Sequence, residues 1–328
     1  MAKERIYSAM RPTGPLHLGN LVGALSNWVK LQDEYECFYG LADWHALMSE
    51  YNDPQIIHDA VSQMVADYIA AGLDPKRCVI ARQSDVPEHV ELFTILSCIT
   101  PVSWLERCPT YKEQLQELES KDVRNYGFLG YPVLQAADII VYKATAVPVG
   151  EDQLPHLELT REIVRRFNSV FGKDVFPEPK AKLTPAARLP GLDGRKMSKS
   201  YENAIYIGDS PEEIRRKVTA MLTDSKRPRR SDPGHPDECN LFPYVRVFAS
   251  ESAESVKKEC AAAKLGCVDC KKQLAEALVK YTEPLRQKRG EVLGEPGLVD
   301  DILADGARRS REVASRTMKE VREVIRFS

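Results

Sequence analysis

Short apolar strands alternate with amphipathic helices along the first half of this chain, and that alternation constrains its fold more than any other feature. Arg5-Ile6-Tyr7-Ser8-Ala9-Met10 reads as a strand, and Arg11-Pro12-Thr13-Gly14 as the turn that ends it, with Pro and Gly where turn geometry needs them. Leu18, Leu21, Val22, Leu25, Trp28 and Val29 then recur at helical spacing, so His17-Leu18-Gly19-Asn20 opens a helix directly after a strand and turn. Cys37–Ala42 reads as a buried strand that delivers Asp43-Trp44-His45 to its C-terminal end. A helix is expected over 53–71, with Asp53 as N-cap, Pro54 at the first position and Gly72 as terminator. Further strands are expected at Cys78-Val79-Ile80-Ala81 and Ala146-Val147-Pro148-Val149, and a helix over 153–171 that Gly172 stops. Residues 88–145 between them read as mainly helical, and Pro177-Glu178-Pro179 as an irregular crossing. Such alternation implies a doubly wound parallel sheet, with ligands outside the C-terminal ends of its strands.

No strand pattern appears beyond residue 206. Ser210-Pro211-Glu212-Glu213 is a capping box with Pro at the first helical position. Helices are expected over 211–223, 251–264, 268–293 and 309–326. The fold class is therefore α/β, a doubly wound parallel Rossmann-like sheet over 1–205 with a smaller all-helical domain over 206–328. A chain of 328 residues is long enough for two such units.

With 43% hydrophobic and 29% charged residues, the composition is that of a soluble globular protein. No stretch approaches ~18 consecutive apolar residues, so no membrane span is expected. Met1-Ala2-Lys3-Glu4-Arg5-Ile6 lacks the apolar run of a signal peptide, which points to the cytoplasm. A net charge of −2 leaves any nucleic-acid surface to local basic runs. Lys226-Arg227-Pro228-Arg229-Arg230 is one, and Arg308, Arg309, Arg311, Arg316, Lys319, Arg322 and Arg326 form another, although such runs are usually solvated faces. In a reducing compartment the eight cysteines are not expected to pair. Cys37, Cys78, Cys98 and Cys108 fall in apolar segments and read as buried small hydrophobes. Cys239, Cys260, Cys267 and Cys270 are spaced C-x20-C-x6-C-x2-C in a polar, lysine-rich neighbourhood. Four thiolates can close a tetrahedral zinc site or hold a four-iron four-sulfur cluster.

Three further stretches carry chemistry. Asp193-Gly194-Arg195-Lys196-Met197-Ser198-Lys199-Ser200 packs three cations into five residues beside two hydroxyls and a glycine, a loop able to close over a polyanion. Alone it would be a solvated basic turn. Pro15-Leu16-His17-Leu18-Gly19-Asn20 lies at a helix start, where unpaired N–H groups and the dipole attract phosphate. No G-x-x-x-x-G-K-[ST] run is present, so this is not a Walker-type loop. Asp138 sits in an otherwise apolar helix, Val133–Val141, where a carboxylate is costly unless paired.

Together the lysine loop and Pro15–Asn20 resemble the KMSKS and HIGH motifs of class I aminoacyl-tRNA synthetases. Gly150-Glu151-Asp152-Gln153 and Tyr131-Pro132-Val133-Leu134-Gln135-Ala136-Ala137-Asp138 narrow the resemblance to the tryptophanyl branch, and it covers nearly the whole chain. The sheet would then be of the HUP type. The resemblance implies activation of L-tryptophan with ATP and Mg2+, then transfer to the 3′ end of tRNA(Trp), by a homodimer whose interface draws on the insertion over about 88–145. It implies that Arg11, Pro12, Thr13, Gly19 and Asn20 line the ATP site and that His17 helps hold the phosphates, a helix cap being the alternative for that ring. Gly150, Glu151 and Asp152 would meet the ribose, and Leu189 the adenine. Lys196 and Lys199, with Met197, Ser198 and Ser200, would close on the pyrophosphate. Asp138 would accept the indole N–H, within walls formed by Tyr7, His45, Tyr131, Gln135, Val147 and Val149, with Gln153 at the α-amino group. The four later cysteines resemble the iron–sulfur motif of a subset of the branch, C-x22-C-x6-C-x2-C, which favours a 4Fe-4S cluster over Zn2+ and a structural staple near the anticodon arm. Departures are His-Leu-Gly-Asn for the first motif, Arg11 where many members carry Gln, and Gln135 where many carry Met.

Overall fold

The computed structural model describes residues 3–117, 122–183 and 189–327. Five strands form one parallel sheet in the order β3-β2-β1-β4-β5. They are β1 (Arg5–Met10), β2 (Glu36–Leu41), β3 (Val79–Arg82), β4 (Ala146–Val149) and β5 (Lys180–Leu183). Ile6 stands opposite both Cys37 and Ala146, so the strand order reverses between β1 and β4. Four of these strands are those the sequence implies. β5 is not: Lys-Ala-Lys-Leu is short, half-exposed and follows two prolines. Only an edge position tolerates such a strand, and there charged residues discourage further pairing.

Fourteen α-helices accompany the sheet among the described residues. The first helical run consists of α1 (Leu18–Asn20), a π-helical turn Leu21–Leu25 and α2 (Ser26–Glu34). Then come α3 (Asp43–Glu50) and α4 (Gln55–Ala70). Pro54, not Asp53, occupies the N-cap of α4, and no side chain caps it. Apart from 118–121, which lie outside the described residues, 88–145 are mainly helical as expected. They contain α5 (Glu88–Ile99), α6 (Val102–Arg107), α7 (Pro109–Glu117) and α8 (Tyr126–Ile140). α9 (Leu154–Phe171) stops at Gly172, which adopts φ 67°. The rest is helical: α10 (Pro211–Ala220), α11 (Phe242–Phe248), α12 (Ala253–Ala261), α13 (Cys267–Gly294) and α14 (Leu298–Ile325). The Ser210 hydroxyl caps α10 by accepting the Glu213 N–H. α11 was too short for its periodicity to register. α14 starts at 298 rather than 309, because Ile302 and Leu303 bury themselves against the body of the protein.

Side-chain alternation along β1 and β2 builds two cores. Ile6 and Tyr39 face one, Tyr7 and Phe38 the other. The first core runs on into Ile205, Ile214, Tyr244 and Leu278, and the second takes in Val313 and Met318. The C-terminal helices thus share the hydrophobic interior of the sheet. Gly306 lets α14 cross β3 at contact distance, since an added Cβ would collide with the Ile80 carbonyl. All eight cysteines are free thiols. Cys37, Cys78 and Cys108 are buried as expected; Cys98 is exposed, because its turn of α5 faces outward.

Candidate active site

A cleft of about 560 Å³ opens where the strand order reverses, at the C-terminal ends of β1 and β4. That volume lies in the usual range for a small-molecule site, ~300–1,000 Å³, and the position is the one a doubly wound sheet offers a ligand. Arg11, Gly19 and Asn20 line one side, Gly150, Asp152 and Gln153 another, and Tyr7, His45, Tyr131, Gln135, Asp138, Val147 and Val149 the interior. All the residues singled out for the amino-acid pocket and part of those for the nucleotide therefore meet in one cavity, whereas His17 and the lysine loop do not line it. Pro12 and Leu189 are buried but do not line it, Thr13 is half-buried and Glu151 is exposed.

The first loop is locked by its own side chains. His17 Nδ1 accepts the Asn20 N–H at 3.1 Å, and Asn20 Oδ1 accepts the His17 N–H at 3.1 Å, a reciprocal cap on α1. Because Nδ1 accepts, the proton of the neutral ring resides on Nε2. Burial, reinforced by the Lys199 cation, pushes His17 down to about 4, so the ring is neutral near pH 7. Gly14 turns the chain at φ 125°, and at Gly19 a Cβ would fall 2.9 Å from the His17 ring. Cap and phosphate donor are compatible roles here, since the cap uses only Nδ1.

The lysine loop is tied to that first loop. Ile207 N–H donates to Leu16 O and Leu18 N–H to Ile205 O, and Lys199 Nζ donates to Gly14 O at 2.6 Å. Met197 is buried and would touch a Cβ at Gly19, whereas Lys196 is exposed. Burial lowers Lys199 to about 8; Asp67 opposes the shift and Arg11 adds to it. The Ser200 side chain lies outside the described atoms. Asn203, which the sequence reading missed, organises the loop. Its Oδ1 accepts the Ser198 N–H at 2.9 Å, and its Nδ2 donates to Asp193 Oδ1 at 2.7 Å and Lys196 O at 3.1 Å. A buried Asn four residues beyond a Lys gives no periodic signal.

Asp138 is 2% exposed in the last turn of α8, which rules out a surface or N-cap position. Oδ1 is bonded to Gln83 Nε2 at 2.7 Å and His89 Nδ1 at 2.6 Å, and Oδ2 to His45 Nε2 at 2.9 Å. Burial pushes its pKa up, but His89 and His45 together outweigh this and hold the carboxyl down at about 2. His89 is fixed in turn by the Tyr142 hydroxyl at 2.8 Å. Gln83 and His89 were also missed, because their partner lies some fifty residues away along the chain. Tyr131 OH lies 3.1 Å from Nε2 of the buried His156, which burial lowers to about 4. The Tyr7 ring stacks on Tyr142 at 5.4 Å, and its hydroxyl has no partner among the described residues.

Cys239, Cys260, Cys267 and Cys270 are not among the residues lining this cleft; they lie before α11, in α12 and in the first turn of α13. Burial first, then Cys239, Cys260 and Cys267, push the Cys270 thiol up to about 12. Arg227 is 7% exposed beside them; Nη1 donates to Cys260 Sγ at 3.7 Å and to Leu265 O at 2.8 Å, and Nε has no partner among the described residues. Among the described residues no three His, Cys, Asp or Glu side chains converge so as to hold a metal ion. The expectation of a 4Fe-4S cluster or Zn2+ at these cysteines therefore finds no support in the placement of the thiols. No helix among the described residues is long and apolar enough to cross a membrane.

Known proteins resemble this chain over its whole length. The family described as tRNA synthetases class I (W and Y) matches residues 2–283. A tryptophan–tRNA ligase of Thermotoga maritima is 50% identical over 324 residues, 98% of each chain. One from Deinococcus radiodurans is 43% identical over 330 residues, 99% of each. The crystal structure of tryptophanyl-tRNA synthetase from Campylobacter jejuni, complexed with ADP and tryptophan, superposes with a TM-score of 0.87 at 33% identity, over 98% of this chain and 99% of that one.

Proposed function

The chain belongs to the class I tRNA synthetases of the tryptophan and tyrosine type, and from that premise we infer that it is a tryptophan–tRNA ligase. It activates L-tryptophan with ATP to tryptophanyl-adenylate and pyrophosphate, then esterifies the 3′ end of tRNA(Trp). Full-length kinship with tryptophan–tRNA ligases carries this reading.

The chemistry asks the protein for positioning and charge, not for a nucleophile. The tryptophan carboxylate attacks the α-phosphorus of Mg2+-bound ATP, and pyrophosphate leaves. In the second step a ribose hydroxyl of the tRNA attacks the adenylate carbonyl. Two anions must be brought together, and charge on the departing phosphates must be stabilised. In our reading Arg11, Pro12, Thr13, Gly19 and Asn20 hold the nucleotide, Gly150, Glu151 and Asp152 the ribose, and Leu189 the adenine. His17 donates Nε2–H to a phosphate. Lys199, with Lys196, Met197, Ser198 and Ser200, closes on the pyrophosphate. Asp138 accepts the indole N–H inside Tyr7, His45, Tyr131, Gln135, Val147 and Val149, and Gln153 meets the α-amino group. Residues 1–205 are the catalytic unit in this scheme, and 206–328 the unit that grips tRNA in the cytoplasm. Exposed Val102 and Tyr126 on the 88–145 insertion support its use as a homodimer interface. Pyrophosphate exchange is expected with tryptophan and not with tyrosine or phenylalanine. Equal exchange with tyrosine would sink the assignment.

We further propose that Cys239, Cys260, Cys267 and Cys270 hold a 4Fe-4S cluster. The donor set supports it, as does the buried Arg227, whose partnerless Nε suits a neighbouring anionic group. Zinc is the alternative; one ion needs all four sulfurs at ~2.3 Å, closer together than a cluster does. When bound, the cluster serves as a structural staple, since adenylation moves no electrons. Cys267 and Cys270 would anchor the start of α13, and the neighbouring lysines would meet phosphates of the anticodon arm. Anaerobically purified protein is expected to be brown and to carry about four irons per chain. A colourless preparation with one zinc per chain would decide for zinc. Cys267→Ser should weaken tRNA charging far more than pyrophosphate exchange, because the catalytic cleft does not contain the site.

A further inference from the structure

One buried carboxylate behind the nucleotide loop has no part in the chemistry above. Asp67, on α4, is 0% exposed. Its Oδ2 accepts the Leu16 backbone N–H at 3.0 Å, immediately ahead of His17. Its Oδ1 accepts Arg289 Nε at 2.8 Å, and the same guanidinium donates to Gln63, one turn earlier on α4. Arg289 lies far along α13, the helix that begins at Cys267, and it packs on Gly208, where an added Cβ would fall 3.1 Å from its Cζ. The Leu16 peptide is thereby gripped on both sides, its N–H by Asp67 and its C=O by the Ile207 N–H.

A buried ion pair is weak evidence for stability, because a well-packed apolar pair often serves the fold as well. An apolar pair could not accept the Leu16 N–H. The carboxylate is therefore matched to the loop, and the guanidinium to the carboxylate. Burial pushes the Asp67 carboxyl up, against the Leu16 N–H and Arg289, so losing either partner leaves a charge that the site does not accommodate. The same carboxylate acts on Lys199, whose Nζ is bonded to Gly14 in the same loop.

We propose that Asp67 and Arg289 are positioning residues for the nucleotide loop: Asp67 fixes the Leu16 peptide and with it the His17 cap, and Arg289 transmits the seating of α13 on α4 to that loop. The inference rests on the ATP-binding role assigned above to the segment around His17. Arg289 is 18% exposed at its side chain and is not among the residues lining the cleft, so it acts on ATP through its neighbours, of which Asp67 is the one bonded to the Leu16 N–H.

The test compares Arg289→Gln, Arg289→Lys and Asp67→Asn by pyrophosphate exchange and thermal melting of the full-length protein. Arg289→Gln is expected to raise KM for ATP roughly tenfold, the scale of one charge-assisted hydrogen bond, while KM for tryptophan stays near wild type; the melting temperature falls, because a buried carboxylate is left without its cation. Arg289→Lys should recover part of the loss, since it keeps the charge. Asp67→Asn should reproduce the ATP effect. An unchanged KM for ATP in both Arg289→Gln and Asp67→Asn would overturn the proposal. So would equal rises in both KM values, which mark a structural pair only, whatever the melting temperature. Wild-type protein that shows no ATP-dependent exchange would instead refute the nucleotide reading of the loop.

Discussion

Replacing Lys199 with Ala is expected to slow tryptophan-dependent pyrophosphate exchange by roughly 10²–10³-fold, the loss seen when one preorganised electrostatic donor is removed. Lys199 Nζ donates to the Gly14 carbonyl at 2.6 Å, on the turn that precedes the helix start of His17. That carbonyl is a poor substitute for a phosphate, and burial has brought the ammonium down to about 8. Bound triphosphate favours the charged form, so the lysine binds most strongly where negative charge is greatest, on the departing pyrophosphate. Tryptophan affinity should barely move, because Lys199 does not line the pocket around Asp138. The pKa gives a second readout. A lysine is charged below its pKa, so kcat/KM for ATP, which reports the free enzyme, should fall as pH rises through about 8. Lys199→Arg keeps its charge throughout and should remove that alkaline fall. Near-normal exchange by Lys199→Ala would refute the role.

What could be read in the sequence follows the range of the interactions involved. β1 to β4 and the long helices came from periodicity and turn residues, which are local signals. β5 failed because an edge strand of Lys-Ala-Lys-Leu needs no apolar pattern, and α14 was cut short because Asp300, Asp301, Asp305 and Gly306 interrupt the apolar pattern of its first turns. The same distinction runs through the site. His17, Lys199 and Asp138 were legible because motif or context marks each as unusual where it stands. Asn203, His89, Gln83 and Asp67 were not. Each is an ordinary polar residue until the fold brings it against a partner: Asn203 against the lysine loop, His89 and Gln83 against Asp138, Asp67 against Leu16. The cysteines show the converse. Their spacing was plain in the sequence, while the buried guanidinium of Arg227 looked like one cation in a solvated basic run.

Asp138 is the second residue whose loss should be severe. A carboxylate offers about four acceptor positions, and His89, Gln83 and His45 occupy three, which leaves one for an indole N–H. Asp138→Ala is expected to cost about 1–3 kcal/mol of tryptophan binding, the scale of a lost buried hydrogen bond or an unpaired partner. By calorimetric titration that is a weakening of roughly 5- to 150-fold. The structure makes Asp138→Asn informative as well. An amide keeps the shape but turns its NH2 toward groups that themselves donate, so it should recover little of the affinity. ATP binding should be largely kept in both variants, since the partners of this carboxylate described above, His45, Gln83 and His89, lie outside the nucleotide loop. Selectivity should collapse in step. Phenylalanine has no N–H to offer, so in the wild-type protein it leaves a buried acceptor unpaired; once the acceptor is gone that penalty vanishes, and the preference for tryptophan should narrow by about the factor lost in affinity. Because the two histidines hold the carboxyl at about 2, this group stays ionised down to strongly acidic solution and should contribute no acid limb to tryptophan binding near neutral pH. Unchanged tryptophan affinity in Asp138→Ala would mean that the indole is held elsewhere in the cleft, and the walls drawn around Asp138 would have to be moved.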